Sequence, residues 1–224
     1  LRIHRDFEWP DTYTPENLED LKRFYDRYLK DIHNGWEMTP KVRVDVMDAF
    51  DLDHAERRPE TSFPLERTQY KKLYLNAADT SLQTTPVETE SQISYDGNTG
   101  KVEFDMAFDE DTELTGYMYL RLYVEADGHD DMDLFVNIQK ADASGRWIPW
   151  FTLNEPHPGA WGKMRVSRRE LDEKLSTKFC PVLAQKRELK LSKGEIVPVD
   201  IAISWPRTSA AMPVCSRARW TRWS

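Results

Sequence analysis

Three places in this 224-residue sequence hold side chains that could do chemistry. The first is His4, in Leu1-Arg2-Ile3-His4 just ahead of a helix start. Imidazole titrates near neutral pH and so serves as general base or acid; the plain alternative is a loop histidine hydrogen-bonded near a strand end. The second is the cluster Asp127, Asp130, Asp131 and Asp133. Carboxylate oxygens suit a calcium ion, but the spacing lacks the EF-hand order and Asp133 falls on the outward side of a strand, so a solvated turn fits better. The third is an aromatic stretch, Trp147, Trp150, Phe151, His157 and Trp161, broken by Pro149, Pro156 and Pro158. Here Trp147, Trp150 and Trp161 could stack on a sugar or line a substrate pocket. Cys180 and Cys215 lie in no CxxC or His-rich setting, so neither a metal site nor any other cofactor is expected.

The elements that must position these residues are mostly strands. Val102, Phe104, Met106 and Phe108 alternate with Lys101, Glu103, Asp105 and Ala107; Met118, Leu120, Leu122 and Val124 alternate with Tyr117, Tyr119, Arg121 and Tyr123; Met132, Leu134, Val136 and Ile138 repeat the pattern. Such half-buried strands need a second layer over their apolar face, which makes the body of the chain an antiparallel β-sandwich with these three strands at its centre. Ahead of them, Thr14 as N-cap, Pro15 at the first helical position and Glu16 in the first turn start a helix that Asn34 and Gly35 end. Its Leu18, Leu21, Tyr25 and Tyr28 fall at the spacing of a buried face. Val42, Val44 and Val46 mark a strand, and the charged segment from Asp48 to Pro64 reads as a connection between modules.

Beyond that connection, Gln69 to Leu75 reads as the first sandwich strand, and Asp96-Gly97-Asn98-Thr99-Gly100 as a turn built on residues that accept positive φ. The aromatic stretch reads as a long ordered loop, Ser167 to Leu175 as a short helix and Ile196 to Ile203 as the last strand. No acidic residue follows Asp200, while Arg207, Arg217, Arg219 and Arg222 make the tail basic; residues 207–224 are expected to hold little packed structure.

A net charge of −8 argues against nucleic acid or an anionic membrane as the main partner. No run approaches the ~20 apolar residues of a membrane span, and with two cysteines outside any framework a reducing, cytoplasmic setting is the expectation. The chain begins at Leu1, directly in sequence of folded character, and so reads as a piece of a longer protein.

Several segments together carry a family likeness. Trp9-Pro10-Asp11, Tyr13-Thr14-Pro15-Glu16-Asn17, Arg23-Phe24-Tyr25-Asp26-Arg27-Tyr28-Leu29-Lys30 and Asn34-Gly35-Trp36 resemble the end of the hydrolase domain in the cocaine esterase/NonD group of serine hydrolases, relatives of the X-Pro dipeptidyl-peptidases. Glu66-Arg67-Thr68-Gln69-Tyr70, the Gly116-to-Val124 strand, Asp130-Asp131-Met132-Asp133-Leu134-Phe135-Val136 and Gly194-Glu195-Ile196-Val197-Pro198-Val199 resemble that family's C-terminal domain. The likeness implies a mainly β fold, a jelly-roll (galactose-binding-like) β-sandwich, preceded by a helical segment from the end of an α/β-hydrolase domain. It divides the chain into 1–48 (end of the hydrolase domain), 49–64 (connection), 65–206 (β-sandwich) and 207–224 (irregular basic tail).

The same likeness implies a parent enzyme with a Ser-Asp-His triad acting on a small ester or amide substrate, with the parent's α/β-hydrolase domain as partner. His4 lies about where it would place the catalytic histidine. Triad order in α/β-hydrolases is Ser, Asp or Glu, then His, so the nucleophile would precede this chain, and none of its serines sits in a G-x-S-x-G elbow. It also favours Trp147, Trp150 and Trp161 as a domain-docking surface over a substrate pocket. The alternative is a stand-alone jelly-roll module that binds carbohydrate or protein without catalysis.

Overall fold

The computed structural model describes residues 1–3, 12–47, 53–152, 155–157, 159–203, 212–214 and 217–221. In chain order its elements are β1 (Arg2–Ile3), α1 (Pro15–Leu29), β2 (Val42–Met47), β3 (Asp53–Glu60), β4 (Tyr74–Asn76), β5 (Ser81–Gln83), β6 (Glu103–Ala107), β7 (Thr112–Leu114) and β8 (Met118–Val124). They continue with β9 (Asp133–Ala141), β10 (Trp147–Ile148), β11 (Trp150–Thr152), β12 (Glu155–His157), β13 (Ala160–Arg165), β14 (Val197–Ile203), β15 (Met212–Val214) and β16 (Arg217–Thr221).

Helix α1 starts as its residues require. Thr14 is extended, Pro15 holds the first helical position, and the Thr14 carbonyl accepts the amides of Asn17 and Leu18, both at 3.0 Å. Beyond its end, Asn34 donates from Nδ2 to the carbonyl of Arg23 at 2.8 Å, and Gly35 turns the chain at φ 76°. The expected buried face is not buried: Leu18, Leu21, Tyr25 and Tyr28 are exposed, from 42% at Leu21 to 60% at Tyr28. The side of α1 that meets this chain is polar, through Asn17, so the apolar side is left facing outward.

Three strands form a first sheet, with β1 parallel to β2 and β2 antiparallel to β3. Ile3, Val42, Val44, Val46 and Leu65 form its core, and Val44 and Val46 are fully buried, as their alternation indicated. Strand β3 occupies about half of the segment read as a connection. Its charged residues hid it: Arg58 and Glu60 read as solvent-facing, yet Arg58 pairs with Glu113 and Glu60 with Arg67.

The sandwich sets a seven-stranded sheet, in which β10, β9, β16, β6, β5 and β4 follow one another and β13 also pairs with β9, against the antiparallel pair β8/β14. Leu134, Val136 and Ile138 of β9, Ala160 and Met164 of β13, Leu120 of β8 and Val197, Val199, Ile201 and Ile203 of β14 meet in one core. Of the three alternating runs, β9 and β6 thus share one sheet and β8 lies in the other. The run near Gln69 narrows to β4, and the turn before β6 closes on the Asp96 carboxylate, which accepts the amides of Asn98 at 2.8 Å and Thr99 at 3.1 Å.

Three further expectations are corrected. The aromatic loop is largely strand, since β10 and β13 pair with β9, and β11 and β12 form a hairpin. The short helix at 167–175 is a single 3-10 turn, Val166–Arg168, after which Leu171 bridges to Leu183. The described residues of the basic tail, expected to be irregular, are strand: β15 pairs with β7, and β16 lies between β9 and β6, with Arg219 standing opposite Asp105 on one side and Gln139 on the other. Alternation of arginine with Ala218 and Trp220 is a strand pattern too short to stand out in sequence.

Candidate functional site

The N-terminal sheet holds the site geometry. β1, α1 and β2 form a βαβ unit, because β1 and β2 run parallel with the helix between them in sequence. Ligands of open α/β sheets bind outside the carboxyl ends of their parallel strands, which here is the end of β1 at Ile3. His4 is the next residue in sequence; it lies outside the described residues.

A buried polar network fixes that end of β1. Asn17 of α1 and Asp45 of β2 are 6% and 5% exposed. The Asn17 side-chain oxygen accepts from Arg57 Nη2 at 2.9 Å and from Arg2 Nη1. Asp45 accepts the Arg57 amide at 2.7 Å and stands 3.9 Å from Arg2 Nη2. Arg57 takes φ 48° beside a register shift between β2 and β3, a conformation unusual for a side chain with a Cβ, and the Asp45 carboxylate holds it. Arg43 pairs with Asp20 of α1 at 2.6 Å, so helix and sheet are tied at a second point. Sequence reasoning missed all of these residues, since the signal was only polar residues at inward positions of apolar elements.

Beside this unit lies the apolar side of α1. Phe24 packs on Tyr25, Tyr28 and Trp36 at centroid separations of 5.3, 4.9 and 5.5 Å, forming an aromatic cluster whose outer rings are exposed. An exposed apolar stripe rimmed by charged residues is the mark of an interaction surface.

The other candidate residues lie in the sandwich. Trp147 stands opposite Ala141 and Trp161 opposite Asn137, on one face and one flank of β9, with Lys163 Nζ 5.4 Å from the Trp161 ring. The Trp150 side chain lies outside the described residues. Of the aspartates, Asp131 and Asp133 are held by partners of the fold. Burial acts to raise the pKa of Asp131, but hydrogen bonds from Ser167 and the Met132 amide, with Lys190 nearby, hold it below the usual carboxylate range. Asp133 is also held low, chiefly by its hydrogen bonds with Arg165 at 2.9 and 2.8 Å. Among the described residues no three His, Cys, Asp or Glu side chains gather as a metal site, and no helix is long and apolar enough to cross a membrane.

Residues 34–207 match the family model described as the X-Pro dipeptidyl-peptidase C-terminal non-catalytic domain. The chain belongs to this family. Two solved structures of a CocE/NonD family hydrolase from Staphylococcus aureus are similar to 99% of the chain, with TM-scores of 0.89 and identities of 37% and 36%, and the chain covers 40% of each. An aminopeptidase from a marine sediment Thaumarchaeota archaeon shares the fold alone, at TM-score 0.60 and 14% identity, over 91% of this chain and 35% of its own. No curated protein matches. Residues 34–207 are thus the kind of non-catalytic C-terminal domain that X-Pro dipeptidyl-peptidases carry, and the chain spans about two-fifths of the length of the CocE/NonD hydrolase it resembles.

Proposed function

We propose that this chain is the C-terminal part of a serine hydrolase that acts on esters or amides, of acyl or X-Pro dipeptidyl type, through a Ser-Asp-His triad. In this reading α1 belongs to the end of the α/β-hydrolase domain, and the β-sandwich packs against that domain and helps shape its active site. His4 is the general base that takes the serine proton and then, as imidazolium, returns it to the leaving group. The observation that carries the reading is the βαβ unit at the start of the chain: β1 ends at Ile3, directly before His4, at the place where parallel sheets hold their sites. The uncovered aromatic side of α1 supports the packing, since a hydrolase domain supplies what that side lacks.

The test is expression of the chain together with the coding sequence upstream of Leu1. The longer protein should turn over p-nitrophenyl acetate or an X-Pro-nitroanilide, and His4→Ala should lower kcat by at least about 10⁴-fold, since triad members act as a unit. The chain alone should show no saturable turnover. Undiminished turnover in the His4→Ala variant, or an upstream sequence without a G-x-S-x-G segment, overturns the reading.

A further inference from the structure

The outer face of the β8/β14 pair carries a patterned stripe that the hydrolase reading does not use. Tyr119, Arg121 and Tyr123 alternate with the core residues of β8, and Tyr117 precedes them on the same side. Register sets Ala202, Asp200 and Pro198 of β14 beside Tyr119, Arg121 and Tyr123. Each of these two tyrosines therefore has a short neighbour rather than a bulky one. Tyr117 is 39% and Tyr123 73% exposed. Phe63 meets the Tyr117 ring edge-on at 5.8 Å, which fixes that ring's orientation. Strand geometry spaces Tyr117 and Tyr119 by ~7 Å, and Tyr119 and Tyr123 by ~14 Å.

At the centre of the stripe, Arg121 donates from Nε and Nη2 to the two carboxylate oxygens of Asp200, both at 2.6 Å. This fork fixes the guanidinium against the Asp200 carboxylate and neutralises it, while its remaining N–H groups are still able to donate. The phenol groups of Tyr119 and Tyr123 flank it. The surface is thus neutral, aromatic and lined with pre-oriented hydrogen-bonding groups.

Charge decides what such a surface suits. Phosphate or nucleic acid needs uncompensated cations, and here the one cation is paired within a chain of net charge −8. A protein interface places apolar residues at its centre and polar ones at its rim, the reverse of a stripe centred on an ion pair. A neutral glycan complements it on both counts: the C–H faces of sugar rings lie on tyrosine rings, and hydroxyls meet the guanidinium and phenol groups. We propose that the Tyr117, Tyr119, Arg121 and Tyr123 face is a binding platform for a neutral oligosaccharide chain, running along β8 with the Arg121–Asp200 pair fixing its register. The platform does not depend on the hydrolase assignment.

The purified chain is titrated by calorimetry with cellohexaose, xylohexaose, maltohexaose and chitohexaose, and amide NMR shifts are followed in parallel. Saturable binding of at least one of these sugars is expected, with perturbed amides confined to β8, β14 and the residue before β8. Tyr123→Ala should weaken that binding by about ten-fold or more, and Leu175→Ala, an exposed residue outside β8 and β14, should leave it unchanged. Because Tyr123 is so exposed, its replacement spares the core. Absence of saturable binding by all of these sugars overturns the proposal, as does binding that Tyr123→Ala leaves intact. Sedimentation showing a dimer that Tyr123→Ala dissociates also overturns it, by giving the face to a second copy of the chain.

Discussion

Arg58 of β3 and Glu113 of β7 face each other as a two-pronged fork, Nη1 to Oε2 and Nη2 to Oε1, each at 2.8 Å. This pair joins the first sheet to the sandwich across two separate cores. Arg58 also bonds Glu60 at 2.8 Å, and Glu60 in turn receives Arg67. The Arg58 guanidinium holds the Glu113 carboxyl below the usual range, and Arg67, then Arg58, do the same for Glu60. Carboxylates with depressed pKa add stability above their unfolded value of ~4.3 and lose it as pH falls through the folded value. Glu113→Gln should therefore lower stability by ~1 kcal/mol at pH 7. Urea midpoints of wild type and variant should converge as pH is taken below ~4. A difference that is the same at pH 3 and pH 7 would show that the fork is not the source.

Leu134 tests the sandwich centre. It is 3% exposed among β8, β13 and β14 residues, so Leu134→Ala should cost ~2 to 5 kcal/mol through lost transfer energy and the cavity left behind. A urea midpoint shift worth less than ~1 kcal/mol would contradict that packing.

Gly162 tests the approach of the two sheets. A Cβ built there would sit 2.5 Å from the Ala202 carbonyl oxygen and 2.9 Å from Ile201 Cγ2, so β13 comes against β14 only because position 162 has no side chain. Gly162→Ala should destabilise by ~1 to 3 kcal/mol, the range of overpacking. An unchanged thermal midpoint would mean that the sheets stand further apart.

Removal of β16 gives the sharpest contrast with a surface tail. A chain truncated after Ile203 loses the strand between β9 and β6, and its stability should fall by several times the ~0.5 kcal/mol typical of surface changes. A midpoint within that limit would restore the reading of residues 207–224 as a passenger.

Legibility in sequence followed how much each residue depends on its own neighbours. Val44, Leu134 and Val199 were readable because period-two alternation states which side of a strand is apolar. For α1 the same kind of pattern named the apolar side correctly, yet periodicity does not say whether the chain itself supplies a cover for Leu21 and Tyr28. β3 and β16 were hidden by charge: Glu113, which pairs with Arg58, and Asp105, which stands opposite Arg219, lie far away in sequence. Of the candidate site, the cage of Asn17, Asp45 and Arg57 could be seen only once α1, β2 and β3 had been brought together.

The position of β16 also sets an order of assembly. Strands β6 and β9 are complete by residue 141, but the strand that separates them begins at residue 217. Hairpin neighbours zip up locally, whereas this slot stays open until residues 142–216 have been synthesised, and pairings of such sequence separation form slowly. Two unpaired strand edges facing an empty slot are a template for any free strand of suitable pattern. A ribosome stalled in that interval would thus hold a nascent chain primed to capture a β16 segment from another copy, and domain-swapped oligomers are the misassembly this fold invites.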